Sequence, residues 1–185
     1  MNEFYLIEER VAEVLRKIEL YQELYGSKDS TSVLNSTFPE CFSLIQESMF
    51  FEIVCRICAV FDPAETGGSK NLTIAHLVQE SGSAYTDNIH LELESIRLDF
   101  KNSGLRKVRN KIYAHNDLNV YLKRTKFTTS VSYEFLKSLL LRVFKVVRKL
   151  GLASGRILRN QTIIRETKLP NRRNGTTLID TLKNA

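Results

Sequence analysis

Apolar residues recur at Ile7, Val11, Val14, Ile18, Tyr21 and Tyr25, alternating spacings of four and three that draw one stripe down a helix over 2–25, with Glu and Lys opposite. Gly26 supplies the stop. Thr37-Phe38-Pro39-Glu40 reads as a capping box with Pro in the first turn, opening a helix that runs to about Phe61. The second half of that helix, 49–61, is apolar nearly all round, so it is expected to be the central, most buried one, ended by Asp62-Pro63. A short helix follows over 73–80, closing near Gly82, then a longer one over 86–100 through Ile89, Leu93 and Ile96. Ser103-Gly104 breaks the pattern before a helix over 105–115. The last strong stripe, Phe135, Leu139, Val143, Val146 and Leu150, predicts a helix over 131–150.

The intervening stretches are polar. The loop 62–71 contains Gly67-Gly68-Ser69-Lys70, which lacks the full Gly-x4-Gly-Lys-Ser/Thr pattern of a phosphate loop and has no strand before it, so a flexible connection is expected. Residues 116–129 are expected to be irregular. After Gly151 the apolar period fades into a basic stretch, where Arg156, Arg159, Arg165, Lys168, Arg172, Arg173 and Lys183 face only Glu166 and Asp180. It suits an RNA-contacting arm, a partner-clasping segment or a solvated extension, and Ile157, Leu158, Ile163 and Ile164 could pack as a short strand or helix. The chain is thus expected to be all-α, with one helical domain over 1–150 and a basic C-terminal extension over 151–185.

Composition agrees. With 185 residues, 43% hydrophobic and only 3 Pro and 8 Gly, the chain suits one helical globular domain and not two domains with a linker. No apolar run approaches the ~20 residues of a membrane span, and 1–9 holds acids without a basic leader, which predicts a cytoplasmic protein without a membrane partner. Cys41, Cys55 and Cys58 include one C-x2-C but no second pair at zinc spacing, so no metal site is expected and the three thiols are assigned to helix packing.

Charge changes the picture more. The net +6 conceals a polarity, since 1–100 holds 7 Lys/Arg against 17 Asp/Glu and 101–185 holds 20 against 4. A basic half of this kind attracts a phosphate backbone, because neutralising phosphates releases counterions. The halves could equally pair within one fold or across a dimer.

The basic half contains Arg109-Asn110-Lys111-Ile112-Tyr113-Ala114-His115, followed by Asn116-Asp117. RNA carries its own nucleophile, the ribose 2′-OH, so cleavage needs only its deprotonation, a steadied phosphate and protonation of the leaving 5′-oxygen. His115 suits acid and base roles because an unperturbed imidazole titrates at about 6.5. Arg109 can hold phosphate oxygens in a fork, and the Asn110 amide can donate to phosphate or fix the imidazole tautomer. Arg106, Lys107 and Lys111 are candidate backbone contacts, and Tyr113, four residues beyond Arg109, could stack on a base. In a regular helix residues six apart lie about 9 Å along the axis and about 120° around it, so Arg109 and His115 of one chain do not converge; two copies of the chain would supply a composite site. His76 and His90 have no partner at informative spacing and are treated as surface or satisfied core histidines.

The Arg109-Asn110-x4-His115 motif resembles the signature of the HEPN superfamily (higher eukaryotes and prokaryotes nucleotide-binding), with the abortive-infection, AbiU-type subgroup the most similar. The likeness extends loosely over 38–150, through Phe61-Asp62-Pro63 and the Asn71-Leu72-Thr73 helix start. It implies a bundle built on an up-down four-helix core, a metal-independent endoribonuclease without cofactor that leaves a 2′,3′-cyclic phosphate, paired motifs at a homodimer interface, and a role in phage defence or a toxin-antitoxin system with a neutralising antitoxin as possible partner. The alternative is a non-catalytic helical dimer that binds RNA or a protein partner. A DNA-binding regulator is disfavoured, as no helix-turn-helix with a polar recognition helix is evident.

Overall fold

The computed structural model of the chain describes residues 2–114, 131–158 and 169–184, at 113 and 114 the backbone alone. It is an all-α bundle. Helix α1 spans Glu3–Tyr25 with the Asn2 side chain accepting from Phe4 N at 2.9 Å as its cap. It is followed by α2, Lys28–Thr37, and α3, Pro39–Val60. A two-strand ribbon, β1 Glu65–Thr66 and β2 Ser69–Lys70, leads to α4, Ile74–Ser81, capped by Thr73. Helix α5 spans Asp87–Asn102 and α6 Leu105–Val108, continued by a π-helical segment over Arg109–Ala114. Helices α7, Tyr133–Ala153, and α8, Gly175–Lys183, complete the described residues.

Cross-helix ion pairs give the directions. Glu8 meets Arg148 and Glu19 meets Lys137, so α1 and α7 are antiparallel. Glu13 with Arg56 and Lys17 with Glu52 set α3 antiparallel to α1, while Glu92 with Lys149 and Asp99 with Arg142 set α5 antiparallel to α7. The four long helices α1, α3, α5 and α7 therefore run up, down, up and down. Four of these pairs join the acidic half to the basic half, so part of the charge polarity is spent within the fold. The half-exposed ones among them contribute little each, about 0–1 kcal/mol, while Glu8 of the Glu8–Arg148 pair is buried and its desolvation offsets much of the attraction. The interior supplies more: Ile7, Val11 and Leu15 of α1, Ile57 of α3, Leu93 and Ile96 of α5, and Leu139, Leu140 and Val143 of α7 lie in one buried cluster, each apolar side chain of this kind contributing about 1.5–3 kcal/mol.

Several local expectations need correction. Thr37 does not cap α3: it ends α2, an unforeseen helix, and its hydroxyl donates back to Val33 O and Leu34 O at 3.0 and 3.1 Å. Pro39 does open α3, with no side-chain cap. Helix α3 is also less buried than its composition suggested. Within 49–61, Ile53, Val54, Ile57, Cys58 and Val60 are buried, but Phe51 is exposed and Met49, Phe50 and Cys55 are half-buried, and α1 and α7 hold the centre. Of the cysteines only Cys58 is buried, Cys55 being half-buried and Cys41 exposed. The connection over 62–71 is an organised ribbon: Gly67 and Gly68 take positive φ of 57° and 79° at its turn, and Asn71 Nδ2 donates to Pro63 O and Thr66 Oγ1.

The basic extension contributes a helix. Leu24, Leu34 and Ile179 form a small second core where α8 packs on α1 and α2, with Leu182 and Met49 beside it. Asn174 caps α8 and Gly175 N donates to Glu23 Oε2 at 2.7 Å. His76 is buried against Glu3, Nε2 to Oε1 3.3 Å, and His90 Nδ1 lies 3.0 Å from the Tyr85 hydroxyl. The expected irregular stretch 116–129 falls outside the described residues. Among the described residues, no helix is long and apolar enough to cross a membrane.

Candidate functional site

The segment that carries Arg109 is anchored from one side. Gly104 takes φ 75°, a left-handed value that favours glycine, and turns the chain from α5 into α6. Ser103 secures the turn, its hydroxyl donating to Phe100 O at 2.7 Å and accepting from Leu105 N at 3.2 Å. Leu105 and Val108 then sink into the core and Ile112 packs against it, which leaves Arg106, Lys107, Asn110 and Lys111 on the outer side.

The backbone at the motif is not a regular helix. From Arg109 to Ala114 it is π-helical, with hydrogen bonds reaching five residues instead of four and a wider turn. The Tyr113 side chain and His115, with Asn116-Asp117, lie outside the described residues.

Arg109 is held by two bonds. Its Nη1 donates to Asp62 Oδ2 at 2.8 Å and its Nε donates to Asn110 Oδ1 at 3.1 Å. Because a guanidinium only donates, the Asn110 carbonyl must face it and the Asn110 NH2 is left to point elsewhere. Asp62 stands just beyond the end of α3, and its other oxygen lies 3.6 Å from Arg106 Nη2, which also donates to Phe61 O at 2.7 Å. One carboxylate thus faces two arginines. Burial works against the Arg109 charge, but the hydrogen bond and charge of Asp62, aided by Cys58 and Cys55, more than offset it and raise the guanidinium pKa above its ordinary value. Burial pushes the Cys58 thiol up to about 11 despite Arg109, so the C-x2-C pair is not a thiolate nucleophile.

Beside Arg109 a cavity of about 520 Å³ opens between α4, α5 and α6. Arg106, Lys107, Asn110 and Lys111, all singled out in the sequence, lie on its wall together with Arg97 and Lys101. Phe61 and Phe100, also on its wall, stack face to face at 4.1 Å, with the Arg106 guanidinium 5.4 Å from the Phe100 ring centre. The structure thus brings four of the seven candidate residues to one cavity and turns Arg109 toward Asp62. Sequence reasoning took Asp62 as a helix stop and as part of the loose family likeness, and nothing local to Asp62-Pro63 signals its partner 47 residues away. Arg97, Lys101, Phe61 and Phe100 were likewise not singled out, since their convergence depends on packing of separate helices.

A model of the HEPN_AbiU2 family, described as AbiU2, matches residues 2–159. The chain belongs to this family of abortive-infection HEPN-type proteins. No curated protein and no solved structure matches it.

Proposed function

We propose that this AbiU2-family protein is a metal-independent endoribonuclease acting in phage defence or a toxin-antitoxin system. The observation that carries the reading is the tethered Arg109: Asp62 and Asn110 hold its guanidinium at the edge of a cation-lined cavity, six residues before His115. In this reading His115 removes the proton from the ribose 2′-OH and returns one to the departing 5′-oxygen. The 2′-oxygen attacks the phosphorus of the adjacent 3′-phosphate, a P–O2′ bond forms as the P–O5′ bond breaks, and a 2′,3′-cyclic phosphate and a 5′-OH end remain. Arg109 stays charged and steadies the extra negative charge on the phosphate, while the free NH2 of Asn110 donates to the phosphate or to the imidazole. Arg106, Lys107 and Lys111 hold the flanking backbone.

The working unit in this reading is a homodimer. Cys41, Leu44, Ser48 and Phe51 are exposed on α3 at spacings of three and four, and the stripe continues to half-buried Cys55, whose thiol lies within the electrostatic reach of Arg109. Leu44 is 66% exposed and Phe51 42%. A second copy of the chain laid along this stripe about a two-fold axis would cover it and bring the two Arg109 regions to one seam, completing a site that one chain leaves half built. A neutralising antitoxin would compete for the same cation-lined surface.

Purified protein incubated with total RNA in excess EDTA tests the chemistry, with the ends read by phosphatase sensitivity. Cleavage that persists in chelator, leaves cyclic phosphate ends and is lost in His115→Ala and Arg109→Ala supports it. Cleavage that vanishes with chelator, or that survives both substitutions, refutes it.

A further inference from the structure

We propose that α3 carries a redox lock: Cys41 and Cys55 of one copy lie opposite their own counterparts in a second copy aligned in parallel, and oxidation joins each pair as a disulfide. The inference rests on the homodimer reading above and adds to it a register and a modification site. Its first support is spacing. Cys41, Leu44, Ser48, Phe51 and Cys55 alternate intervals of three and four over two complete heptads, on the outer face of α3, while Ile53, Val54 and Ile57 turn inward. Such a narrow repeat is the seam of a helix pair and not the wider stripe that a helix lays on a globular core. The next position of the repeat, Cys58, is buried, so the seam is confined to 41–55. Cys41, Ser48 and Cys55 are small enough for two backbones to come close, and Leu44 and Phe51 fill the layers between them.

The rest of the molecule selects a second copy, and its direction. Cys55 and Arg109 act on each other's charge, so the Cys55 end of the stripe adjoins the motif. A parallel pair about a two-fold axis sets both motifs at one end of the seam, whereas an antiparallel pair crossing at Ser48 would hold the two Cys55 positions about 20 Å apart. Glu47, beside the stripe, then faces position 52 of the other copy, where Lys17 and Arg56 already neutralise Glu52. Distance permits the bond. Helices packed about 10 Å apart, with Cα atoms about 2.3 Å from each axis, hold facing Cα atoms about 5–6 Å apart, inside the ~4.4–6.8 Å that a disulfide spans. The oxidant is a small disulfide of the glutathione class. The thiolate of Cys41 attacks one of its sulfurs and expels one small thiol, and the Cys41 thiolate of the other copy attacks the protein-bound sulfur and expels the second. Two protein thiols are thereby oxidised to one disulfide, the small disulfide is reduced to two thiols, and the two protons pass to the departing sulfurs. Cys55 follows more slowly, because burial raises its thiol pKa and leaves less thiolate.

The test reads covalent dimers on non-reducing gels after incubation with oxidised glutathione across a concentration series. The unaltered protein is expected to become a covalent dimer that a reductant dissolves, Cys41→Ser and Cys55→Ser each to keep one link, and the double variant to form none. Leu44→Glu, which leaves every cysteine in place, is expected to slow linking about tenfold or more. Small-thiol adducts without dimers, or linking that Leu44→Glu leaves as fast as before, overturn the proposal. A link that forms only when the Cys41→Ser and Cys55→Ser proteins are mixed also overturns it, assigning an antiparallel pair. Cleavage gives a separate readout: the linked dimer is expected to keep its activity on dilution to concentrations where the reduced protein loses it. If the links form in this register and neither state cuts RNA, the seam stands and the nuclease reading fails.

Discussion

Asp62 and Arg109 stand 47 residues apart in the chain and meet at 2.8 Å, with both side chains about three-quarters buried. The carboxylate at the end of α3 thereby sets the plane of a guanidinium carried on a different helix, and the Asn110 oxygen fixes its other edge at 3.1 Å. A phosphate ligand gains from such a pre-set cation because less ordering remains to be done when charge builds on it.

Asp62→Asn keeps an acceptor at Oδ1 but removes the charge that orients Arg109. RNA affinity should stay level or rise, since a competing carboxylate is gone, while kcat should fall by about 10- to 100-fold from misplacement of the guanidinium. Single-turnover cleavage at saturating protein, beside anisotropy binding, separates the two. A variant that loses affinity and keeps kcat would remove Asp62 from the positioning role.

The α3 stripe predicts a change of assembly. Leu44→Glu places a charge at a residue that is 66% exposed, so the single chain should keep its melting temperature within about 0.5 kcal/mol of stability. If the stripe pairs two copies as proposed, their dissociation constant should rise by about tenfold or more. Sedimentation velocity across a concentration series measures this, and cleavage should fall at concentrations where the variant is monomeric. Full activity in a demonstrated monomer would end the composite-site reading.

Glu8 carries a pH dependence. It is 1% exposed, its Oε2 has no hydrogen-bond partner among the described residues, and its Oε1 lies 3.5 Å from Arg148 Nη1. Burial raises its carboxyl pKa, only partly countered by the Arg148 charge and hydrogen bond. The folded state therefore holds this proton more tightly than the unfolded chain. The stability it contributes is fully present below the unfolded value of 4.5 and is lost as pH rises through the raised folded value. Thermal melts of the protein and of Glu8→Gln from pH 4 to 8 should show the difference, unaltered minus variant, growing on acidification. A pH-independent difference would contradict the assignment.

Gly175 has no room for a side chain. A Cβ there would stand 2.8 Å from Glu23 Cβ and 3.1 Å from Leu24, at the point where α8 enters against α1. Gly175→Ala should cost about 1–3 kcal/mol, concentrated in the α8 contact. Limited proteolysis should then cut the C-terminal segment first, while the bundle itself melts as before. A variant as protease-resistant as the parent would show that α8 docks by another route.

The stripes of α1 and α7 were legible because helix periodicity is a local property: Ile7, Val11, Val14 and Ile18, or Leu139, Val143, Val146 and Leu150, declare the buried face without knowledge of what covers it. The breaks at Gly26, Pro63 and Gly104 were legible for the same reason, each depending on one residue's backbone preferences. Residue chemistry also lies in the sequence, so Arg109, Asn110 and the cations around them could be singled out before any fold was known. Helix α2 was missed because Val33 and Leu34 are too few to draw a stripe, and its Leu34 is buried in a cluster with Leu24 of α1 and Ile179 of α8, from the far end of the chain.

Tertiary structure alone decided which groups meet. The sequence by itself determined an all-α chain with its charge divided between two halves and a motif suited to RNA chemistry, because composition and short periodicities are properties of neighbouring residues. Pairing of Asp62 with Arg109, the widened π-helical turn under the motif, the wall shared by α4, α5 and α6, and the exposure of Leu44 on α3 follow from how distant helices pack. That packing is settled by the whole buried surface at once, so no window of the chain contains it.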